Sequence, residues 1–473
     1  MMQVAIERVV TAAGPIVVKE VRQGLRGRAF AVFFTLMLLA CVSIAVIAAA
    51  VVSQSELEVL GPIVFTAYLW LVAGLCFFII PYQAFRAMLS EREDETWVLL
   101  VLTGLGGKQI ARGKYSSAMS QAALFGSACA PFVVFSYYLN GIDLMQVVLA
   151  LVLAAAMASL LVSVSLLIGA EAKTRLSRIA AHFAVLALLA VVTMGCLGFV
   201  SFLSSDTFRR ISGKQIAVLI SLCVGFCTLS AQTSWLFLDY AGMAMSLPAD
   251  GDAVPPRKKL IGSALFNVIA TSTVMMLLNA ESDDATVAGI IYLVWLVIFA
   301  VLAVSENDGW PRAFAKVPWL GRPGASRSTL TVWALALFGS AAFFLVRLTL
   351  NKEPHGAPLI LFAGAGYIIL FTSLAAFLGR FTPLNALGVS VGTRVGFIGS
   401  LILGTGSLAF FMLLGRMNAR DASALNVLSP FVGMVMLLDR RTGSEGLILS
   451  LGVCTAVALM MGWAALNDSD KEF

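Results

Sequence analysis

The sequence predicts an all-α, polytopic helical membrane protein with about 12 transmembrane helices in two six-helix halves. Of its 473 residues, 60% are hydrophobic and 12% are charged, and the mean hydropathy is +0.93. Soluble domains usually carry about a quarter charged residues. Apolar runs of about 20 residues, the length that crosses a bilayer, recur along the chain. More than two thirds of the 32 Lys and Arg fall on alternate connecting segments, which is the asymmetry expected of cytoplasmic loops.

The first predicted element is a cytoplasmic amphipathic elbow helix over residues 1–28. Apolar residues recur there at helical spacing, and charged residues lie between them: Lys19, Glu20, Arg22 and Arg26. Helices of this kind lie among lipid headgroups, so membrane lipid is an expected partner. The alternative is an ordinary basic flank that only sets the topology of the first span.

The predicted spans follow in two groups of six, joined by a cytoplasmic linker at 248–259 that contains Pro255 and Pro256. The first half covers 29–247 and the second covers 260–466, before a cytoplasmic tail at 467–473. An even number of spans places both termini on the same side of the membrane, and the basic connecting segments indicate that this side is the cytoplasm. The expected location is the inner (plasma) membrane of a bacterium. The spans are 29–52, 60–80, 115–139, 144–170, 179–204, 215–238, 260–279, 286–304, 329–350, 357–379, 395–415 and 446–466.

One further apolar stretch, 422–438, is too short for a span and contains Ser429 and Pro430. Its length is typical of a re-entrant or external helix.

The most polar segment of the first half is 82–114. Five consecutive charged residues, Glu91 to Glu95, are followed by an apolar stretch and then by three glycines at 104, 106 and 107. This order predicts a short helix-turn-helix unit beneath the membrane, which could dock into a groove of a cytoplasmic partner. The alternative is a solvated charged face. The second half has a long loop at the corresponding position, 305–328, with a different sequence, and its role stays open.

Enzyme chemistry is not expected. The chain has two histidines and no metal-binding or nucleophile motif. Residues 104–108 read Gly-Leu-Gly-Gly-Lys, but Leu102 and Gln109 occupy positions where a phosphate-binding loop needs Gly and Ser or Thr. No cofactor is therefore expected in this chain. Juxtamembrane Lys and Arg account for the net charge of +6 without nucleic acid.

Charged residues within the spans are rare. Asp239 and Glu171 lie near span ends and are expected to reach water. A carrier driven by an ion gradient would normally place more acids in its spans.

These residues together resemble the permease subunits of ABC-2 type transporters. Three features carry the resemblance. The first is an elbow helix ending in Lys-Glu, at residues 15–20, with Arg22 and 26–28 after it. The second is a Glu-Arg-Glu…Thr…Leu-Leu…Thr…Gly-Lys segment, at 91–93, Thr96, 99–100, Thr103, Ile110 and 113–114, and the third is Pro131 in span three. It covers about 140 residues well, and the remainder agrees only in hydropathy.

The resemblance implies an ATP-driven transporter, expected to be an exporter, whose ATPase is a separate cytoplasmic chain that binds ATP-Mg. It also implies that 82–114 carries the coupling helix, with these residues contacting the ATPase: Glu91, Arg92, Glu93, Glu95, Thr96, Thr103, Gly113 and Lys114.

This chain departs from the family in having about twelve spans rather than six, and its second half lacks the Glu-Arg-Glu motif. It could therefore form a whole pore, pair with itself as a homodimer or pair with a second permease chain. The alternative functions are a secondary transporter driven by an ion gradient and a non-transporting membrane scaffold. The transported substrate is not indicated.

Overall fold

The structure is a computed structural model. It describes residues 15–52, 57–93, 106–139, 142–203, 213–246, 256–277, 282–306, 325–350, 358–381, 392–402 and scattered positions between 452 and 460. The chain forms two compact units, Met1–Ala253 and Val254–Phe473. The boundary between them falls within residues 248–259.

Nine helical segments make up the described part of unit 1. They are α1 (Pro15–Leu25), α2 (Arg28–Val52), α3 (Leu57–Ala73), a π-helical stretch (Gly74–Ile79), α4 (Ile80–Glu93), α5 (Gly107–Tyr138), α6 (Leu144–Glu171), α7 (Arg175–Leu203) and α8 (Gly213–Ala244). In unit 2 the described helices are α9 (Arg257–Leu277), α10 (Ser282–Val304), α11 (Ala325–Leu350), α12 (Pro358–Phe381) and α13 (392–402).

Ten helices within the described ranges are long and apolar enough to cross a membrane: α2, the continuous helix from α3 to α4, and α5 to α12. Large apolar side chains on their outer faces are exposed, as on α2, where Val32, Leu36 and Leu39 are each more than half exposed. Such faces suit hydrocarbon rather than water. The all-α class is confirmed for the described residues, and the helices fit an integral multi-pass membrane protein.

The last two predicted spans are described only in small part, and the predicted external helix at 422–438 lies outside the described residues, as does the tail at 467–473. Most of the ten described spans agree with the predicted ones to within about four residues, although α8 continues to Ala244 rather than ending at 238. One larger exception remains.

The exception concerns the boundaries of the segment 82–114. The second membrane helix does not end near residue 80 but continues to Glu93, and the third begins at Gly107 rather than 115. The reason is an apolar stripe on α4: Phe85, Met88 and Leu89 recur at helical spacing and are buried. They pack on α6, where Gly169 admits the close approach of α4, because a Cβ there would lie 3.0 Å from the Cβ of Met88.

Helix α5 is the centre of unit 1 and packs against α1, α3, α6 and α8. Polar side chains join the three central helices: the hydroxyls of Tyr115 and Ser159 lie 2.7 Å apart, and Ser159 donates to Ser234 at 3.1 Å. Interhelical hydrogen bonds of this type hold membrane helices together where the hydrophobic effect does not.

In unit 2, α10 and α12 pack on α11 and on each other. Their core is apolar and aromatic, with Tyr367, Phe371 and Phe397 buried together. The indole of Trp333 donates to Thr372 at 2.8 Å, so its polar group is satisfied within this core.

Candidate functional site

The candidate site is a three-residue ion-pair cluster at the end of α4 and the start of α5, here called the Lys114 cluster: Glu20, Glu91 and Lys114. The Lys114 side chain is 6% exposed, and its Nζ lies 3.1 Å from Oε1 of Glu91 and 3.8 Å from Oε2 of Glu20. One cation therefore connects α1, α4 and α5.

Burial makes this cluster costly to break. The Glu91 and Glu20 side chains are 21% and 20% exposed, so all three charges are partly withdrawn from water. Removing one partner from a buried ion pair is costly, because the remaining charge stays buried without compensation. Here the loss of Lys114 would leave two carboxylates facing each other.

A close approach between α1 and α5 places Glu20 in the cluster. The Ser117 hydroxyl on α5 donates to the backbone oxygen of Glu20 at 2.9 Å. Gly24 allows the contact, since a Cβ at this position would lie 2.5 Å from Oγ of Ser117 and 2.5 Å from Nε2 of Gln121. The elbow helix is thus packed tightly against the first four turns of α5, the helix that follows the polar segment.

Arg92 has a different role from its neighbour Glu91. Its side chain is buried, its Nε donates to the backbone oxygen of Ala170 at 2.9 Å, and its Nη2 donates to that of Ala244. These carbonyls lie at the C-terminal ends of α6 and α8, where backbone oxygens have no helical partner and a cation is favoured. Arg92 therefore ties the end of α4 to two further helices.

The start of α5 is also fixed to the end of α8. Gly107 and Gly242 meet so closely that a Cβ on Gly107 would lie 2.3 Å from the Gly242 oxygen. One turn away, Nη2 of Arg112 lies 3.3 Å from Oδ1 of Asp239.

The structure places the predicted coupling residues in three groups. Glu91 and Lys114 are in the cluster, and Arg92 and Gly113 are buried. Glu93 is exposed at the end of α4. The others, Glu95, Thr96 and Thr103, lie outside the described residues.

Of the predicted elbow residues, Glu20 faces the cluster, whereas Lys19, Arg22 and Arg26 are exposed and do not contact it. Opposite faces of α1 therefore carry the acidic residue and the basic residues.

Sequence reasoning missed two features. Ser117 was not singled out, and Asp239, expected to reach water, is 1% exposed and paired with Arg112. The signal for Asp239 was available, because an acid inside an apolar helix normally needs a cationic partner. The sequence offered no means of choosing Arg112 from among the basic residues.

Unit 2 contains a similar buried network, here called the Arg257 cluster: Arg257, Glu306 and Ser328. Nη2 of Arg257 lies 3.0 Å from Oε2 of Glu306, and its Nε donates to the Ser328 hydroxyl. Ser328 in turn donates to the same carboxylate oxygen at 2.7 Å. In each unit, a carboxylate at or next to the C-terminal end of the second membrane helix thus pairs with a buried cation.

The same end of unit 2 has a further polar contact, in which Nη2 of Arg394 on α13 donates to the Ser305 hydroxyl at 2.9 Å. Glu306 and Ser328 flank most of the predicted loop 305–328, whose interior lies outside the described residues.

Comparisons with protein-family models, with curated proteins and with solved structures found no match to this chain.

The geometry of the Lys114 cluster links three helices. In the described part of the chain, no group of three or more His, Cys, Asp or Glu is arranged to hold a metal ion. The cluster and Arg92 connect the helix ends on both sides of residues 94–106 to neighbouring helices. Lys114 pairs with Glu20 on α1, and Arg92 donates to the ends of α6 and α8.

Proposed function

We propose that this chain is the permease subunit of an ATP-driven ABC-2 type transporter and that it works as an exporter. A separate cytoplasmic ATPase binds ATP-Mg and docks on the segment around residues 94–106. The supporting observations are the resemblance in the first 140 residues and, above all, the Lys114 cluster, which joins both ends of this segment to the elbow helix.

The proposed mechanism passes a movement of the partner into the membrane helices. A displacement of the end of α4 is transmitted to α5 through Glu91 and Lys114, and to α6 and α8 through Arg92. Packed helices move as units because their interfaces are close-packed and do not deform continuously.

The roles of the predicted coupling residues divide accordingly. Arg92, Gly113 and Lys114 are positioning residues within the protein, since their side chains or backbone are buried. Glu93 is exposed, and in the proposal it contacts the ATPase together with Glu95, Thr96 and Thr103.

The proposal includes the finer topology. The chain has twelve spans with both termini in the cytoplasm of a bacterium, so that residues 94–106 face the ATPase. Fusing a reporter that is active only in the cytoplasm after residue 473 tests the orientation, and an inactive fusion in an otherwise inserted protein would overturn it.

The decisive experiment purifies the tagged full-length chain from its native membranes after mild cross-linking. A co-purified protein with P-loop and LSGGQ motifs is expected, and its ATP hydrolysis should rise when the two are reconstituted together. Glu93→Lys should lower the stimulated rate at least about tenfold, which corresponds to about 1.4 kcal/mol.

The matched control is Asp284→Lys, which reverses an exposed acid on the predicted outer side and should leave the stimulated rate unchanged. Failure to recover an ATPase, together with full activity after charge reversal at Glu91, Glu93 and Glu95, would overturn the proposed function.

One observation favours the second candidate, a secondary transporter. Asp239 is a buried acid within a membrane helix, as ion-coupled carriers require. Its pairing with Arg112 argues against a free ion-binding role. Transport that is driven by an ion gradient without ATP, and that is lost in Asp239→Asn, would support this candidate instead.

A further inference from the structure

The exposed face of the elbow helix carries a groove of about 630 Å³. Its lining combines basic, amide and small groups: Val18, Lys19, Arg22, Gln23, Arg26 and Gly27. The opposite face of the same helix is held against α5 by Glu20 and Gly24. The groove is therefore built on a helix whose position is already fixed.

Among the residues that the structure describes, none neutralises the positive charge in this groove. Lys19, Arg22 and Arg26 follow each other at three- and four-residue spacing, so they share one face of α1. All three are exposed, and none forms an ion pair with another described residue. The one acid between residues 15 and 28, Glu20, points into the Lys114 cluster.

The neighbouring span places the groove at the depth of lipid headgroups. Helix α2 begins at Arg28, and its first strongly exposed large apolar residue is Val32, which is 55% exposed. Four residues of helix rise about 6 Å. Arg26 lies two residues before α2 in the chain and therefore next to the start of this apolar surface, where headgroups would meet hydrocarbon.

We propose that this groove is a binding site for the phosphate group of an anionic phospholipid in the cytoplasmic leaflet. Arg22 and Arg26 donate charge-assisted hydrogen bonds to the phosphate oxygens, for which the planar guanidinium is well shaped. Lys19 adds a third charge, the Gln23 amide donates to the headgroup, and Val18 contacts the lipid backbone. Neutral lipids lack the net negative charge that offsets three cations.

The site differs from general attraction of a basic helix to the membrane, because one face of a fixed helix supplies all the ligands. It also does not depend on the proposed ATPase, so its test is independent of that proposal.

The test titrates purified, delipidated full-length protein with phosphatidylglycerol and follows the first bound lipid by native mass spectrometry. Three exposed cations near an anionic surface together favour binding by about a hundredfold. The triple substitution Lys19→Gln, Arg22→Gln and Arg26→Gln should therefore weaken the first binding step by about this factor. The charge-conserving variant, Lys19→Arg, Arg22→Lys and Arg26→Lys, should retain most of it.

The matched control removes three other exposed cations, Lys173, Arg175 and Lys258, and should bind as the unmodified protein does. A photoactivatable phosphatidylglycerol should label a peptide within residues 15–28, and excess phosphatidylcholine or inorganic phosphate should not displace it.

Three outcomes would overturn the inference. One is equal weakening in the control, which would indicate diffuse surface attraction. The second is displacement by inorganic phosphate, which would indicate a site for the free ion. The third is labelling confined to other parts of the chain. Monodisperse elution of every variant confirms that a loss of binding is not a loss of folding.

Discussion

Replacement of Lys114 by Met is the most direct perturbation of the Lys114 cluster, since it keeps an unbranched apolar side chain and removes the charge. Losing one partner of a buried ion pair costs about 3–5 kcal/mol. Glu91 and Glu20 retain about a fifth of their exposure, so water screens part of their repulsion and the lower end, about 3 kcal/mol, is expected. For a unit of this size, this lowers the unfolding midpoint by about 6–12 °C.

The assay is thermal unfolding of the purified protein in detergent, carried out as a double-mutant cycle with Glu91→Gln. The double variant should be more stable than Lys114→Met alone, because it no longer keeps a charged carboxylate at residue 91 beside Glu20 without the Lys114 cation. The coupling between the two sites should exceed about 1 kcal/mol. Lys258→Met, at an exposed position, should change stability by less than about 0.5 kcal/mol. Strictly additive effects at residues 91 and 114 would refute the ion-pair argument.

Three further predictions concern packing. Gly107→Ala brings a Cβ to 2.3 Å from a backbone oxygen of α8 and should cost about 1–3 kcal/mol in thermal unfolding. Gly126→Ala on the same helix meets open space and should be neutral or stabilising. Equal effects of the two substitutions would contradict the close contact. The sulfurs of Cys41 on α2 and Cys129 on α5 lie 3.8 Å apart. Oxidation with copper phenanthroline should therefore join them in a disulfide, which peptide mass spectrometry detects. Recovery of only unlinked peptides would argue against the α2–α5 packing. Glu306→Ala removes the carboxylate that faces the buried Arg257 guanidinium, although the Ser328 hydroxyl still contacts it. The change should cost about 3 kcal/mol, the lower end of the range for a broken buried pair, so an unfolding midpoint within about 2 °C of the unmodified protein would contradict the buried pair.

The span boundaries could be predicted where the hydropathy changes sharply and not where a polar helix end packs on a neighbour. Residues 144–170 were predicted as a span, and the helix is Leu144–Glu171. The end of α4 was assigned to a separate helix-turn-helix unit beneath the membrane, because Glu91, Arg92 and Glu93 are charged. Its continuity with the second membrane helix depends on the packing of Phe85 and Met88 against α6, which hydropathy does not show.

The candidate site was only partly predictable for a related reason. The Glu-Arg-Glu and Gly-Lys patterns directed attention to Glu91, Arg92 and Lys114, but three adjacent charges look equivalent in a sequence. In the structure Glu91 pairs with Lys114, Arg92 donates to two helix ends and Glu93 is exposed. Successive residues of a helix point about 100° apart, so neighbours in the chain meet different surroundings.

The sequence by itself determined that the chain is helical, that its helices are long and apolar enough to cross a membrane, and where most of them begin and end. These properties follow from local composition, since each apolar run must satisfy its own backbone hydrogen bonds in a helix. Only the tertiary structure decided which charges meet. Glu20 and Lys114 are 94 positions apart, and Arg257 and Glu306 are 49 positions apart. Their pairing depends on how the helices pack, because a partly buried charge is stable only beside the partner that packing brings to it.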